Sequence, residues 1–259
     1  MNASRINFEG CPLCGSRDHA AYVTASCAHH PLYTPLISPT MQWQRCNQCD
    51  HIFTDGYFTA AVAAVVFSKT NVAQMVGADM ENQRAVSARM IEKVLPFVSS
   101  GSWLDIGFGN GSLLFTAQEF GFKPVGVDLR DANVVALRAR GIDAECVNLL
   151  DMRRLHEFSV ISMADVLEHV SFPTPFLQHA RDLLEPEGVL FISMPNADSP
   201  LWQAWNDGGV NPYWGELEHY HNFGRERLYA LLEQTGFRPV KYGISERYRA
   251  CMEVVAMKI

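Results

Sequence analysis

The stretch Leu104-Asp105-Ile106-Gly107-Phe108-Gly109-Asn110-Gly111-Ser112-Leu113 constrains this chain more than any other part of it. Glycines alternate with other residues between a short apolar run and a helical stretch. Glycine adopts backbone conformations closed to other residues, so a strand can turn sharply into a helix and the main chain can approach a ligand closely. A second apolar run, Val125-Gly126-Val127, ends in Asp128. An acid at that point can accept both hydrogen bonds of a ribose diol. A dinucleotide fingerprint, GxGxxG, would need glycine where Ser112 stands; the sequence reads D-x-G-x-G-x-G instead.

The pattern around this turn is regular. Glu81 to Phe97 carries Val86, Met90, Ile91, Val94 and Leu95 at helical spacing. Strands are expected at 103–106, 125–127, 144–147, 159–163 and 188–193. Helices are expected at 112–120, 131–140 and 175–184, the first two stopped by Gly121 and Gly141. Such alternation predicts an α/β fold, a parallel, doubly wound sheet covered on both faces, with ligands at one edge. Tyr57 to Lys69 suits a helix, as does Arg225 to Thr235, and Lys241 to Ile259 suits two closing strands around Arg247-Tyr248-Arg249. Residues 195–223 show weak periodicity and carry Trp202, Trp205 and Trp214, so a lid-like loop is expected there.

The cysteines are concentrated at the other end. Cys11-Pro12-Leu13-Cys14 and Cys46-Asn47-Gln48-Cys49 are two CxxC turns, each aiming a pair of thiolates at one centre. Zn²⁺ favours four such ligands in a tetrahedron, and the spacing, though long for a zinc ribbon, fits a longer hairpin. Cys27, His29 and His30 lie inside the loop and are alternative ligands. Cys146 and Cys251 sit among apolar residues and read as buried small hydrophobes. Residues 1–60 are thus expected to form a zinc-ribbon-like module held by structural zinc, ahead of a second domain over 61–259.

Taken together, Asp105, Gly107, Gly109, Gly111 and Asp128 resemble motif I and the following acidic position of class I S-adenosylmethionine-dependent methyltransferases. Met163-Ala164-Asp165-Val166-Leu167-Glu168-His169-Val170 resembles the "LEHV" signature of the ubiquinone-biosynthesis-like group. Leu184-Glu185-Pro186-Glu187-Gly188-Val189-Leu190 resembles that group's L-x-P-G-G turn, with Glu187 in place of one glycine. The match runs from about Arg84 to Phe237. A CxxC…CxxC module ahead of such a core is similar to bacterial sugar and natural-product methyltransferases with a zinc-binding domain.

The resemblance implies a Rossmann-like seven-stranded sheet and S-adenosyl-L-methionine as cofactor. It implies that the glycine loop holds the methionine end and Asp128, with Leu129 beside it, the ribose. Asn148 or Leu149 would adjoin the adenine, and the backbone of Ala164 would lie near the cofactor. Arg84 could meet the cofactor carboxylate, or be an ordinary solvated helix arginine.

Composition bounds the acceptor. Lys and Arg total 21 against 28 Asp and Glu, a net charge of -7. Phosphate-backbone binding needs a basic field, which argues against nucleic acid. No apolar run approaches the about 18 residues that span a bilayer, and Met1 to Gly10 shows no signal-peptide pattern, so a cytoplasmic protein without a membrane partner is expected. The favoured reading is O- or C-methylation of a small molecule, a sugar or secondary metabolite. The alternatives are an RNA base methyltransferase using the zinc module, or a cofactor-binding protein without catalysis. Candidate bases are His169, His219 and His221, since histidine has the right pKa near neutrality. Trp202, Trp205, Tyr213, Trp214 and Tyr220 suit a lid, a core or a homodimer contact equally.

Overall fold

The computed structural model describes residues 4–68, 72–248 and 250–259. Lys69, at the end of an expected helix, and Arg249, in an expected turn, lie outside them. In chain order, β1 (Arg5–Asn7), β2 (His19–Ser26), β3 (Thr40–Cys46), β4 (Ile52–Thr54), β5 (Gly56–Phe58) and α1 (Ala60–Phe67) come first. Then follow α2 (Met80–Val94), β6 (Ser102–Ile106), α3 (Ser112–Glu119), β7 (Lys123–Val127), α4 (Asp131–Arg138), β8 (Asp143–Glu145), β9 (Phe158–Ala164), α5 (Pro173–Leu183) and β10 (Leu184–Pro195). The chain closes with α6 (Pro200–Asp207), β11 (His221–Asn222), α7 (Arg225–Gln234), β12 (Phe237–Ile244) and β13 (Cys251–Lys258). Two compact units share these elements: Met1–Lys69 with Glu168–Pro173 and Pro195–Leu231, and Thr70–Leu167 with Thr174–Met194 and Leu232–Ile259.

The second unit is built on a seven-stranded sheet in the order β12-β13-β10-β9-β6-β7-β8. Strands β10, β9, β6, β7 and β8 pair in parallel, and β12 pairs antiparallel with β13. Trp103, Val160, Phe191 and Val255 join one apolar cluster with Ile91 of α2, Leu114 of α3 and Leu137 of α4. The alternate strand residues Leu104, Ile161, Leu190 and Ile192 are buried as well. Burial of both faces explains why these strands read as continuous apolar runs. Strand order reverses at β6, with β7 on one side and β9 on the other, and such a reversal opens a crevice at the carboxyl ends of the strands.

The first unit contains an antiparallel sheet in the order β11-β4-β3-β2 and a β1-β5 ribbon. The expected helix from Tyr57 starts only at Ala60, because Tyr57 and Phe58 pair with Ile6 and Arg5. Residues 195–223 form α6, a short 3-10 turn at Pro212–Gly215 and β11, where a loop was expected. Trp202, Trp214 and Tyr220 belong to the buried core of this unit with Trp43 and Phe58, and Trp43 Nε1 donates to the Trp214 carbonyl at 2.9 Å. Cys251 is buried as expected, whereas Cys146 is exposed. It follows β8, the last strand of its sheet, where no neighbouring strand covers it.

Candidate active site and a four-cysteine centre

The second unit carries the glycine turn. Beyond the end of β6, Gly107, Gly109 and Gly111 have φ values of 67°, 55° and 77°, all left-handed. A Cβ on Gly107 would lie 3.0 Å from Val166 Cγ2, so a larger residue would press on Val166 in addition to straining the backbone. Asn110 Oδ1 accepts from the Ser112 N–H at 3.1 Å at the entry to α3, and the Asn133 amide donates to the Gly109 carbonyl at 3.1 Å. The loop is therefore fixed from both sides before any ligand arrives.

Two acids flank it. Asp105 is buried, and burial raises its pKa to about 7 despite a hydrogen bond from Ser162 Oγ at 2.6 Å and the positive charge of Arg247. Ser162 is oriented in turn by Trp103 Nε1, which donates to it at 2.8 Å. Asp128 lies at the end of β7. Its Oδ1 accepts from Arg130 Nε at 2.7 Å and from the Arg130 N–H at 2.9 Å. Its Oδ2 accepts from Arg130 Nη2 at 2.6 Å and from the Gly109 N–H at 3.4 Å. Arg130 Nη1 reaches on to Gln74 Oε1 at 2.7 Å. Nothing in the sequence spacing marked Arg130, Asn133 or Gln74.

The remaining cofactor candidates separate. Leu129 is exposed beside Asp128, and Ala164 at the end of β9 packs against the apolar cluster. Asn148 uses its Oδ1 to cap the turn 149–151, accepting from the Leu150 N–H at 3.0 Å, and the Leu149 side chain is buried. Of the two readings of Arg84, the structure favours the solvated helix arginine: its guanidinium is exposed and paired with Glu119 of α3, Nε to Oε1 at 2.9 Å. It takes the role of a solvated helix arginine, already supplied with a carboxylate.

The histidines belong to the first unit. Ligand atoms of Glu168, His169 and His219 all lie within 4.8 Å of one another. His169 Nδ1 donates to the Glu218 carbonyl at 3.0 Å, which fixes the orientation of the ring. Burial, then the neighbouring His169, pushes the pKa of His219 well below the usual histidine value. His221 differs. Its Nε2 donates to the Val170 carbonyl at 2.8 Å and its Nδ1 accepts from His51 Nε2 at 3.0 Å, so both ring nitrogens are committed. It is a core histidine in place of the expected base. His30 pairs with Glu216 at 3.1 Å.

Also in the first unit, Cys11, Cys14, Cys46 and Cys49 converge, their sulfurs all within 4.8 Å of one another. The Cys11–Cys49 and Cys14–Cys46 sulfur separations are 3.7 and 3.5 Å, too long for a disulfide and close to the edge of a tetrahedron with about 2.3 Å metal–sulfur bonds. The two CxxC turns repeat one backbone design. Gly15 and Asp50 donate to the Cys11 and Cys46 carbonyls at 2.8 and 3.0 Å, and both have left-handed φ, 74° and 57°. Burial pushes the Cys11 thiol up and that of Cys49 to about 11, while that of Cys14 is lowered, against its burial, by the Ser16 backbone and the neighbouring sulfurs. Cys27 stands apart, its sulfur donating to the Ser38 carbonyl at 3.2 Å.

A methyltransferase-domain family profile matches residues 80–242, more than half of the sequence. The chain belongs to the methyltransferase-domain family. Among methyltransferases, the ubiquinone biosynthesis O-methyltransferase of Bradyrhizobium sp. (strain ORS 278) is 30% identical over 119 residues, covering 44% of this chain and 46% of that enzyme. The chain thus spans less than half of that relative's length. The 1,6-didemethyltoxoflavin-N1-methyltransferase of Burkholderia thailandensis, solved with S-adenosylhomocysteine, superposes with a TM-score of 0.61 at 19% identity, over 82% of this chain and 97% of its own. The magnesium protoporphyrin IX methyltransferase of Synechocystis PCC 6803, also solved with S-adenosylhomocysteine, superposes with a TM-score of 0.52 at 17% identity, over 69% and 83%. At these identities the likeness establishes the fold, which is that of the class I S-adenosylmethionine-dependent methyltransferases.

Proposed function

We propose that the protein is an S-adenosylmethionine-dependent methyltransferase acting on an oxygen or carbon atom of a small molecule, such as a sugar or a natural product. The observation that carries this reading is the left-handed glycine turn beyond β6, set beside the acid Asp128 at the end of the neighbouring β7. When bound, S-adenosylmethionine supplies a methyl group activated on a sulfonium. The glycine backbone gives the close approach such a ligand needs, and Asp128 gives the acceptor for ribose hydroxyls. The acidic composition and the small acceptors in the names of the methyltransferases above support a small molecule over RNA.

An oxygen or carbon acid must lose a proton as the new bond forms, and His219 is our candidate base. Burial lowers its pKa well below the usual histidine value, so the imidazole is neutral at physiological pH and presents an unprotonated nitrogen, as a weaker base than a free histidine. His169, held by the Glu218 carbonyl, is a positioning residue beside it. We further propose that Cys11, Cys14, Cys46 and Cys49 bind one structural Zn²⁺, which closes the two CxxC turns.

Calorimetric titration with S-adenosylmethionine and S-adenosylhomocysteine tests the reading. Micromolar binding that Asp128→Ala abolishes is the expected result. A folded, metal-loaded protein that binds neither ligand overturns it.

A further inference from the structure

The cofactor reading leaves one charge pair of the second unit unused. Asp165, directly after β9, has a left-handed φ of 58°, a conformation that a non-glycine residue adopts at a local energetic cost and that gathers at functional positions. Its neighbour Val166 lies against Gly107 of the glycine turn. Arg247, in the connection between β12 and β13, reaches Asp165 with Nη1 at 3.4 Å from Oδ2. The same guanidinium lies close enough to Asp105 to favour its ionised form. Within this connection, Ser245 Oγ accepts from the Arg247 N–H at 3.2 Å, and the Cys251 N–H donates to the Tyr248 carbonyl at 2.7 Å.

Arg247 differs from the other arginines of this unit near the site. Arg130 is clasped on both oxygens of Asp128, and Arg84 is paired with Glu119. Arg247 makes one long ionic contact, and 28% of its side chain remains exposed. A guanidinium carries five N–H donors in a planar fork suited to the paired oxygens of a carboxylate or phosphate. The flanking acids Asp105 and Asp165 add the opposite charge, so the group as a whole suits a ligand that presents an ammonium and an anion together.

We infer that Arg247 is an anion-receiving residue of the substrate site, binding a carboxylate or phosphate of a bound substrate while Asp165 holds it in place. The inference rests on the methyltransferase reading. One source of the anion is the amino-acid carboxylate of the cofactor; the other is an anionic group on the acceptor.

The test compares wild type, Arg247→Met and Arg247→Lys as full-length proteins. Each is titrated with S-adenosylhomocysteine and with 5′-methylthioadenosine, which keeps the nucleoside and thioether but lacks the amino-acid end. Circular dichroism checks folding. Arg247→Met is expected to weaken S-adenosylhomocysteine about 10- to 100-fold, the size of a lost charge-assisted hydrogen bond, with 5′-methylthioadenosine unchanged and Arg247→Lys in between. If S-adenosylhomocysteine is unaffected but inorganic pyrophosphate binds the S-adenosylhomocysteine complex of wild type and not that of Arg247→Met, the anion belongs to the acceptor and the inference stands. Equal weakening of both nucleosides would mark a merely structural role and overturn it, as would no effect on any probe. A wild type that binds neither nucleoside removes the methyltransferase reading itself, and the inference with it.

Discussion

The guanidinium of Arg130 grips the carboxylate of Asp128 on both oxygens, Nε at 2.7 Å from Oδ1 and Nη2 at 2.6 Å from Oδ2. With the N–H groups of Arg130 and Gly109, every acceptor direction of this carboxylate has a donor. A ribose diol that binds Asp128 must displace some of these bonds. Arg130→Met is therefore expected to tighten S-adenosylhomocysteine binding about tenfold, by removing an internal competitor. Calorimetry reads this directly, and weaker binding would mean that Arg130 itself holds the cofactor.

Asp105 provides a pH signature for the same site. Its pKa of about 7 means that it gains negative charge across the neutral range. On the proposed cofactor reading, an ionised Asp105 would attract the ammonium of the cofactor's amino-acid end, and a protonated one would not. Affinity for S-adenosylhomocysteine should rise from about pH 6 to about pH 8, and Asp105→Asn should flatten the profile. A wild-type profile with no such rise would detach Asp105 from the ligand.

His221 makes the first unit sensitive to acid. Burial holds its pKa at about 4, and that of His219 well below the usual value, so both are neutral when folded. The unfolded chain takes up protons near pH 6.5, so this contribution to stability is complete above that pH. It is lost as pH falls toward 4, at a cost of roughly 3 kcal/mol for His221. Urea midpoints across this range should drop accordingly. A midpoint independent of pH would contradict the buried, neutral assignment.

Truncation tests the domain boundary expected near residue 60. Removing residues 1–60 takes away Met41, Trp43 and Phe58, which share a buried core with Trp202, Trp214, Leu217 and Tyr220. The shortened protein should bind a hydrophobic dye and aggregate. A monomeric, cooperatively unfolding product would show that 61–259 stands alone.

The glycine turn, the strands around it and the cysteine centre were legible because their signals are local. Left-handed glycines, apolar runs of strand length and CxxC pairs each announce a conformation within a few residues. Residues 195–223 were not legible as structure because their partners are distant in sequence: Trp214 bonds to Trp43, 171 positions away, and β11 pairs with β4. Aromatic residues without periodicity give no sign of which layer they complete. Cys146 departs from its expected burial for a related reason, since a pattern of residue types does not say whether a strand is the last of its sheet, and for the same reason sequence left the two readings of Arg84 open. The two histidines of Glu218-His219-Tyr220-His221 looked equivalent in sequence; only the bonds of His221 to His51 and Val170 separate them.

The strand β11 has a consequence for how the protein is made. It is the partner of β4, and it lies in the segment Pro195–Leu231 that completes the first unit. On a ribosome adding about 5–20 residues per second, the opening residues emerge many seconds before that strand does. The sheet begun by β2, β3 and β4 thus waits for a strand that is made long after them. A bound metal on the four cysteines would give those early residues a local anchor during the interval.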